Sequence, residues 1–168
     1  MILNPQRMFE QANSNETIDI HIRGLCEVWK NNIDIIFVFI DECHPFDYIV
    51  FLIGKESYNV EWKDQYQPLT YNSIYLEQWS SHEKTRGWVH NLIDNKVNYV
   101  IFYWNKRLLL KIFNATTLCN WWRNNCTMYT SKLNESSGNW TSSYSSVYLS
   151  KLPQDCQLLS ISDINLEN

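Results

Sequence analysis

Two neighbouring runs of apolar and aromatic residues predict a β-hairpin in the first half of the chain. Residues 46–53 and residues 57–63 are rich in aromatic and β-branched side chains, and a Gly-Lys-Glu break separates them at 54–56. Runs of this kind on either side of a short polar break are typical of paired antiparallel strands. Polar and apolar residues alternate in the second run, which places Glu61 and Lys63 on the same face.

The register of this hairpin decides which polar side chains meet. A loop of three residues puts Asp47 opposite Lys63 and Ile49 opposite Glu61, within reach of one another. Asp47, Glu61 and Lys63 then converge at the open end of the hairpin. A loop of two residues would instead turn Asp47 to the far face, because side chains alternate along a strand.

An amphipathic helix is predicted before the hairpin. A polar cluster at residues 14–17 is typical of a helix start. An apolar stripe with helical spacing follows, formed by Ile18, Ile22, Leu25, Cys26 and Trp29. Asp19 or Glu16 is the candidate acid that this helix contributes to the hairpin end. The alternative is a solvent-facing acid near the helix start, which suits the helix dipole.

The remaining pattern predicts one α/β domain with a mixed central sheet flanked by helices. Further strands are predicted at residues 33–40, 73–79, 97–104, 108–113 and 147–152. Further helices are predicted at 88–95 and at 116–123, the latter capped by Asn114 or Thr116. Polar segments predict a possible arm at 1–13, a mobile loop at 130–146 and a tail at 156–168.

The composition indicates a folded protein and no disulfide framework. The 168 residues are 45% hydrophobic and 15% aromatic, which is enough for a core. The start of the sequence lacks the pattern of a signal peptide, and the apolar runs are too short to span a membrane. We therefore expect a cytoplasmic protein whose five cysteines are reduced, and we read its Asn-x-Ser/Thr sites as a by-product of composition.

Charge is distributed unevenly along the chain. The net charge is −4, yet the segment 84–132 contains eight basic residues and one acid. Basic side chains close to acids that bind metal would suit an enzyme that holds a nucleic-acid backbone. The candidate nucleic-acid-binding residues are Lys84, Arg86, Lys106 and Arg107. A solvated basic face without a partner is the alternative.

Two acids and a lysine at one strand end have a definite chemical use. Two carboxylates can hold a hard divalent cation, with waters in the remaining positions. Such a cation lowers the pKa of a bound water, and a nearby lysine can orient that water or stabilise charge on phosphorus. A surface acid–base pair on a strand edge is the simpler alternative, because Glu-x-Lys alone is common.

These residues resemble the motif of the PD-(D/E)XK nuclease superfamily. Phe46-Asp47 opens one strand and Val60-Glu61-Trp62-Lys63 closes the next. The resemblance implies a restriction-endonuclease-like fold and a nuclease that uses Mg²⁺ or Mn²⁺ to hydrolyse DNA. It also implies that Asp47, Glu61 and the carbonyl of Trp62 bind the metal, and that Lys63 positions or activates the water. Glu77 and Asp19 are candidates for the outer shell, and a homodimer would allow both strands to be cut.

A second class of function is compatible with the same residues. The chain would then be a nucleic-acid-binding or protein-interaction module that keeps this fold without turnover. The two classes differ in whether Asp47, Glu61 and Lys63 converge around a cation.

Overall fold

The computed structural model describes residues 14–29, 35–39, 47–52, 57–65, 72–81, 85–104, 108–135 and 141–161. Its helices are α1 (Ser14–Val28), α2 (Trp88–Asn91) and α3 (Ala115–Asn125). Its strands are β1 (Ile35–Phe39), β2 (Tyr48–Leu52), β3 (Ser57–Asp64), β4 (Ser73–Ser81), β5 (Thr85–Arg86), β6 (Tyr99–Trp104), β7 (Leu109–Asn114), β8 (Lys132–Glu135), β9 (Thr141–Tyr148) and β10 (Gln157–Ile161). The protein is therefore of the mixed α/β class, as the sequence predicts.

The described strands form two sheets. Six of them make a mixed sheet in the order β1-β2-β3-β6-β7-β10, in which β3 and β6 run parallel and the other neighbours run antiparallel. Four make an antiparallel sheet in the order β5-β4-β9-β8. The chain leaves the mixed sheet after β3, builds β4, β5 and α2, and returns to it as β6. The strand predicted at 33–40 is present as β1 and lies at the edge of the mixed sheet.

The predicted hairpin is confirmed, but its predicted register is wrong by two residues. Tyr48 pairs with Val60 and Ile49 pairs with Asn59, so Ile49 does not face Glu61. Side chains repeat every two residues along a strand, and a shift of two therefore leaves every side chain on its predicted face. This register brings Asp47 next to Glu61 across the hairpin. The turn itself, at 53–56, lies outside the described residues.

Helix α1 covers one face of the mixed sheet. Leu25 is fully buried there against residues of β3 and β6, including Trp62 and Ile101. Gly24 permits the close approach, because a Cβ at this position would lie 2.7 Å from Cη2 of Trp62. The predicted apolar stripe of this helix is thus confirmed at Leu25, which fixes the helix directly behind β3, but the prediction is wrong at Cys26, which is exposed.

The larger core lies on the opposite face of the mixed sheet. Phe102 of β6 and Phe113 of β7 meet there edge to face at 5.3 Å between ring centroids. Apolar residues of α3 and of the second sheet join the same cluster, among them Trp122 and Ile74. Helix α3 begins where it was predicted, since the Asn114 side chain accepts the backbone N–H of Thr117 at 2.9 Å. Glu61 and Lys63 point to this side of the sheet.

Two predictions for the C-terminal third are wrong. The segment 130–146 contains strands β8 and β9 rather than one loop, although 136–140 lies outside the described residues. Ser143 and Ser145 are buried and alternate with Tyr144, so this strand has serines on its inner face. The polar tail includes β10, which pairs with β7. The edge strand predicted at 147–152 is only the end of β9, followed by a 3₁₀ turn at Leu149–Lys151.

Four of the five cysteines, which the sequence predicts to be reduced, lie within the described residues. Cys26, Cys119, Cys126 and Cys156 are free, and all but Cys26 are buried. Burial raises the pKa of Cys156 to about 12, with a further contribution from Asp155. Cys43, the predicted arm at 1–13 and residues 162–168 lie outside the described residues. Among the described helices, none is long and apolar enough to cross a membrane.

Candidate active site

Asp47 lies immediately before β2 and is tied to β3 by two hydrogen bonds. Its backbone N–H donates to the carbonyl of Val60 at 3.1 Å. Its Oδ2 accepts the backbone N–H of Trp62 at 2.7 Å. The side chain therefore takes the position of a backbone acceptor where the regular strand pairing ends, and this holds the carboxylate beside Glu61.

Glu61 is a buried carboxylate in the middle of β3. Its side chain is only 8% exposed, and it forms an ion pair with the ammonium group of Lys63. Burial raises the pKa of Glu61 to about 6, Lys63 opposes this rise, and the charges of Asp47 and Glu77 add to it. Asp47, Glu61 and Glu77 thus place more negative charge at this strand end than Lys63 alone neutralises.

Lys63 pairs with Glu61 and is influenced by the charges of Asp47 and Glu77. Burial alone would lower its pKa, but the charges of Glu61, Asp47 and Glu77 and the hydrogen bond to Glu61 raise it overall. The ammonium group also lies 5.0 Å from the ring centroid of Trp88, within the range of a cation–π interaction. Lys63 is therefore protonated at neutral pH, and its side chain is still 29% exposed.

Glu77 reaches this cluster from the second sheet. Its Oε2 accepts the Ser80 hydroxyl at 2.8 Å and the backbone N–H of Trp88 at 3.2 Å. The chain can fold back this tightly because residue 87 is glycine: a Cβ on Gly87 would lie 2.2 Å from the Glu77 carbonyl oxygen. The close contact between β4 and the start of α2 thus positions both Glu77 and Trp88.

The donor set fits a hard divalent cation held by few protein ligands. Within the described residues, no group of three or more His, Cys, Asp and Glu side chains is arranged to hold a metal ion. Mg²⁺ does not require such a group, because it keeps several waters and binds through one or two carboxylates. Asp47 and Glu61 supply two carboxylates whose mutual repulsion a cation would relieve.

Only some of the other predicted site residues lie within the described part of the chain. Arg86 is described: it is exposed, and its guanidinium lies 4.4 Å from the ring centroid of Trp79. Lys84, Lys106 and Arg107 lie outside the described residues. Asp19 falls within α1, but its side chain also lies outside the described part.

A buried polar cluster behind the site was not predicted from the sequence. His21 of α1 stacks on Trp62 at 4.3 Å between ring centroids, and its Nδ1 lies 2.5 Å from the Tyr48 hydroxyl. Nε2 of His21 lies 3.4 Å from Asp64, which is an electrostatic contact without hydrogen-bond geometry. The Trp62 indole N–H donates to Asp64 at 3.0 Å.

This cluster fixes the strand that carries Glu61 and Lys63. Burial would raise the pKa of Asp64, but its contacts with His21 and Trp62 outweigh this and lower it. Asp64 directly follows Lys63 and points to the other face, so the same strand end is held from both sides. In the sequence, His21 is the residue that could have indicated this cluster, because it lies four residues before Leu25 and therefore on the inner side of α1.

Comparison of the chain with protein-family models, with curated proteins and with solved structures finds no match. A function for this protein therefore has to be inferred from the geometry of the candidate site.

Proposed function

We propose that this protein is a metal-dependent nuclease that hydrolyses phosphodiester bonds, with DNA as its substrate. The observation that carries the proposal is the buried ion pair of Glu61 with Lys63, beside which Asp47 is held by its hydrogen bond to the Trp62 N–H. An acid–base pair placed on a strand edge only for solubility would be exposed. This one is largely buried and is built into the packing of two sheets.

Asp47 and Glu61 would hold Mg²⁺ or Mn²⁺, with the carbonyl of Trp62 as a further ligand. When bound, the cation would activate a coordinated water and neutralise charge on the phosphate. Asp47 already uses Oδ2 to accept the Trp62 N–H, so its position is fixed before any ligand arrives. Such preorganisation lowers the cost of assembling the site.

Lys63 would orient the attacking water and stabilise the negative charge that develops on the phosphate. A lysine that acts as a general base must be neutral, which requires a lowered pKa. The surrounding carboxylates instead raise the pKa of Lys63. Its role in the proposed reaction is thus that of a hydrogen-bond donor and a positive charge, and removal of the proton falls to another group or to solvent.

The architecture supports a restriction-endonuclease-like fold as the finer description. A mixed sheet carries the acids on adjacent strands, and α1 closes its opposite face. Glu77 would act in the outer shell, because it holds the Trp88 N–H and lies near Lys63. A homodimer, which would place two such sites on duplex DNA, belongs to the same proposal.

The test is cleavage of plasmid, linear duplex and single-stranded DNA, and of RNA, by the purified full-length chain with Mg²⁺, with Mn²⁺ and with EDTA. We expect metal-dependent cleavage that Asp47→Asn and Lys63→Ala each abolish. Asp155→Asn and Lys151→Ala remove the same charges from exposed positions and serve as matched controls. Binding of nucleic acid without cleavage under every condition would replace the nuclease with a non-catalytic binding module.

A further inference from the structure

A pocket of about 390 Å³ lies where α2 meets the end of α3. It is lined by Arg86, His90, Asn91, Arg123, Cys126 and Thr127. The pocket adjoins the candidate active site through consecutive residues. Arg86 lines the pocket, Gly87 packs on Glu77, and the Trp88 ring lies beside Lys63. Among the described residues, its lining carries two arginines and no carboxylate.

The two arginines are held in place by different partners. The guanidinium of Arg86 stacks on Trp79 at 4.4 Å. Arg123 donates through Nε to the His90 carbonyl at 2.9 Å and through Nη2 to the Asp94 carboxylate at 2.7 Å. Asp94 is strongly exposed, with 67% of its side chain accessible, so it neutralises Arg123 only weakly. Nε and Nη2 of Arg123 are therefore occupied by the His90 carbonyl and Asp94, which leaves its Nη1 and the exposed guanidinium of Arg86 for a ligand.

His90 forms part of the pocket wall and carries a buried ring nitrogen without a partner among the described residues. The residue is only 7% exposed, yet its Nε2 has no hydrogen-bond partner within the described part of the chain. A buried polar nitrogen without a partner is costly, and such groups in folded proteins call for a ligand, an ion or a water. His90 is neutral at neutral pH, because burial and the charges of Arg86 and Arg123 lower its pKa.

Three carbonyl groups near this pocket already accept hydrogen bonds. The pocket lies near the C-terminal end of α3, where backbone carbonyls carry partial negative charge. The Trp121 carbonyl accepts the Asn125 side-chain amide at 2.7 Å, and the Trp122 carbonyl accepts the N–H of Cys126. The His90 carbonyl is covered by Arg123.

We propose that this pocket binds a phosphate group, held by Arg86 and Arg123 with Thr127 as a neutral hydrogen-bonding group. Arg86 can donate two parallel bonds to a phosphate through its planar fork, and Arg123 adds its positive charge and the N–H groups of Nη1. The assignment of this phosphate to the nucleic acid being cleaved rests on the proposed nuclease function. The proposal that the pocket binds an anion does not depend on that function. The phosphate is either a terminal monoester or an internal diester of the strand.

The first experiment measures anion binding without nucleic acid. Inorganic phosphate is titrated into the full-length protein in EDTA, and the thermal midpoint is followed, with chloride at equal ionic strength as the reference. We expect phosphate to raise the midpoint of the wild type, and Arg86→Gln and Arg123→Gln to remove that rise. Lys132→Gln, which removes an exposed positive charge elsewhere, should leave it intact. Equal responses to phosphate and chloride would overturn the proposal.

The second experiment identifies the source of the phosphate. Fluorescent oligonucleotides with a 5′-phosphate, a 3′-phosphate or hydroxyls at both ends are compared by anisotropy in EDTA. A terminal phosphate should strengthen binding at least about tenfold, and Arg123→Gln should erase that difference. An equal loss of affinity for all three oligonucleotides in Arg123→Gln would identify an internal phosphate instead. Wild-type affinity in both Arg123→Gln and Arg86→Gln would contradict the proposal.

Folding and function are separated by two further variants. Arg86→Lys keeps the charge but not the fork at an exposed position, so it should fold like the wild type and bind phosphate more weakly. Asp47→Asn should lose cleavage while phosphate still raises its midpoint. A wild-type protein that binds phosphate in this pocket but never cleaves nucleic acid would refute the nuclease and leave the anion site standing.

Discussion

Asp47 accepts the backbone N–H of Trp62 at 2.7 Å, so the residue before β2 is bonded to the strand that carries Glu61 and Lys63. A carboxylate used in this way has a structural role as well as the proposed catalytic one. The two roles can be separated, because an amide retains the acceptor oxygen but loses the charge.

Replacement of Asp47 tests the structural role. Asp47→Ala should lower the free energy of unfolding by about 1–3 kcal/mol, because the Trp62 N–H loses its acceptor. Asp47→Asn keeps an acceptor and should cost less than about 1 kcal/mol. Urea unfolding in EDTA, followed by tryptophan fluorescence, measures both values. Equal losses in the two variants would contradict the importance of this hydrogen bond.

Addition of metal tests the proposed cation site without any substrate. Mg²⁺ or Mn²⁺ at a hundredfold excess over its Kd should stabilise the wild type by about 2.7 kcal/mol, or roughly 5–10 °C in the thermal midpoint. Asp47→Asn should lose this shift. Lys63→Ala should keep the shift and lose cleavage, because Lys63 is proposed to act on the water and phosphate. Calcium and EDTA serve as the references, and the absence of any shift in the wild type would argue against the site.

The buried Glu61 predicts a pH-dependent stability with a definite sign. Its pKa is raised to about 6 in the folded protein, from an ordinary value of 4.5. The folded state thus keeps a proton that the unfolded chain releases, and stability is lost as pH rises through this range. The loss is about 2 kcal/mol in total.

Glu61→Gln is the variant that reveals this loss, because glutamine does not titrate. In EDTA, the unfolding free energy of Glu61→Gln relative to the wild type should rise by about 2 kcal/mol between about pH 4 and about pH 7. The comparison uses the change with pH rather than the absolute values, since Lys63 loses its partner in the variant at every pH. A difference that stays constant with pH would refute the prediction.

Gly87→Ala tests the close contact that positions Glu77. The added Cβ would lie 2.2 Å from the Glu77 carbonyl oxygen and 2.6 Å from its carbon, which are backbone atoms that a side-chain rotation cannot move. We expect a loss of at least about 1–3 kcal/mol. Thr85→Ala, an exposed position on β5, is the control and should stay within about 0.5 kcal/mol of the wild type. Chemical denaturation of the wild type, Gly87→Ala and Thr85→Ala measures these differences in the free energy of unfolding.

The basic segment 84–132 predicts a salt-dependent interaction with nucleic acid. Replacing Arg86, Lys106 and Arg107 together with glutamine should weaken binding and reduce the slope of log affinity against log salt by about 2–3, since each phosphate contact contributes about 0.9. Anisotropy at several salt concentrations in EDTA gives the slope. The same affinity and slope in the wild type and the variant would show that these residues do not contact the backbone.

Much of the candidate site was predictable because it depends on local pattern. The alternation around Glu61 and Lys63 fixes their common face, and that face survives a two-residue error in register. The position of Asn114 as a helix cap was predictable for the same reason, since a cap bonds only to its own first turn. Patterns of this range are readable in one sequence.

What the sequence did not reveal depends on contacts between distant segments. Ser143 and Ser145 have the composition of a loop, and only the pairing of β9 with β4 makes them inner residues of a strand. His90 and Arg123 are 33 positions apart, so their contact follows from the packing of α2 against α3. The assignment of β10 to the mixed sheet likewise depends on β7.

The parallel pairing of β3 with β6 also has a consequence for how the protein folds. The hairpin of β2 and β3 closes over a few residues, but Val60 meets Tyr99 only after β4, β5 and α2 have been spanned. Closing a long loop is entropically costly and is typical of slow steps in folding. The hairpin can therefore form while Glu61 and Lys63 are still hydrated. Their burial, and with it the electrostatic character of the site, would be acquired late, when β6 docks.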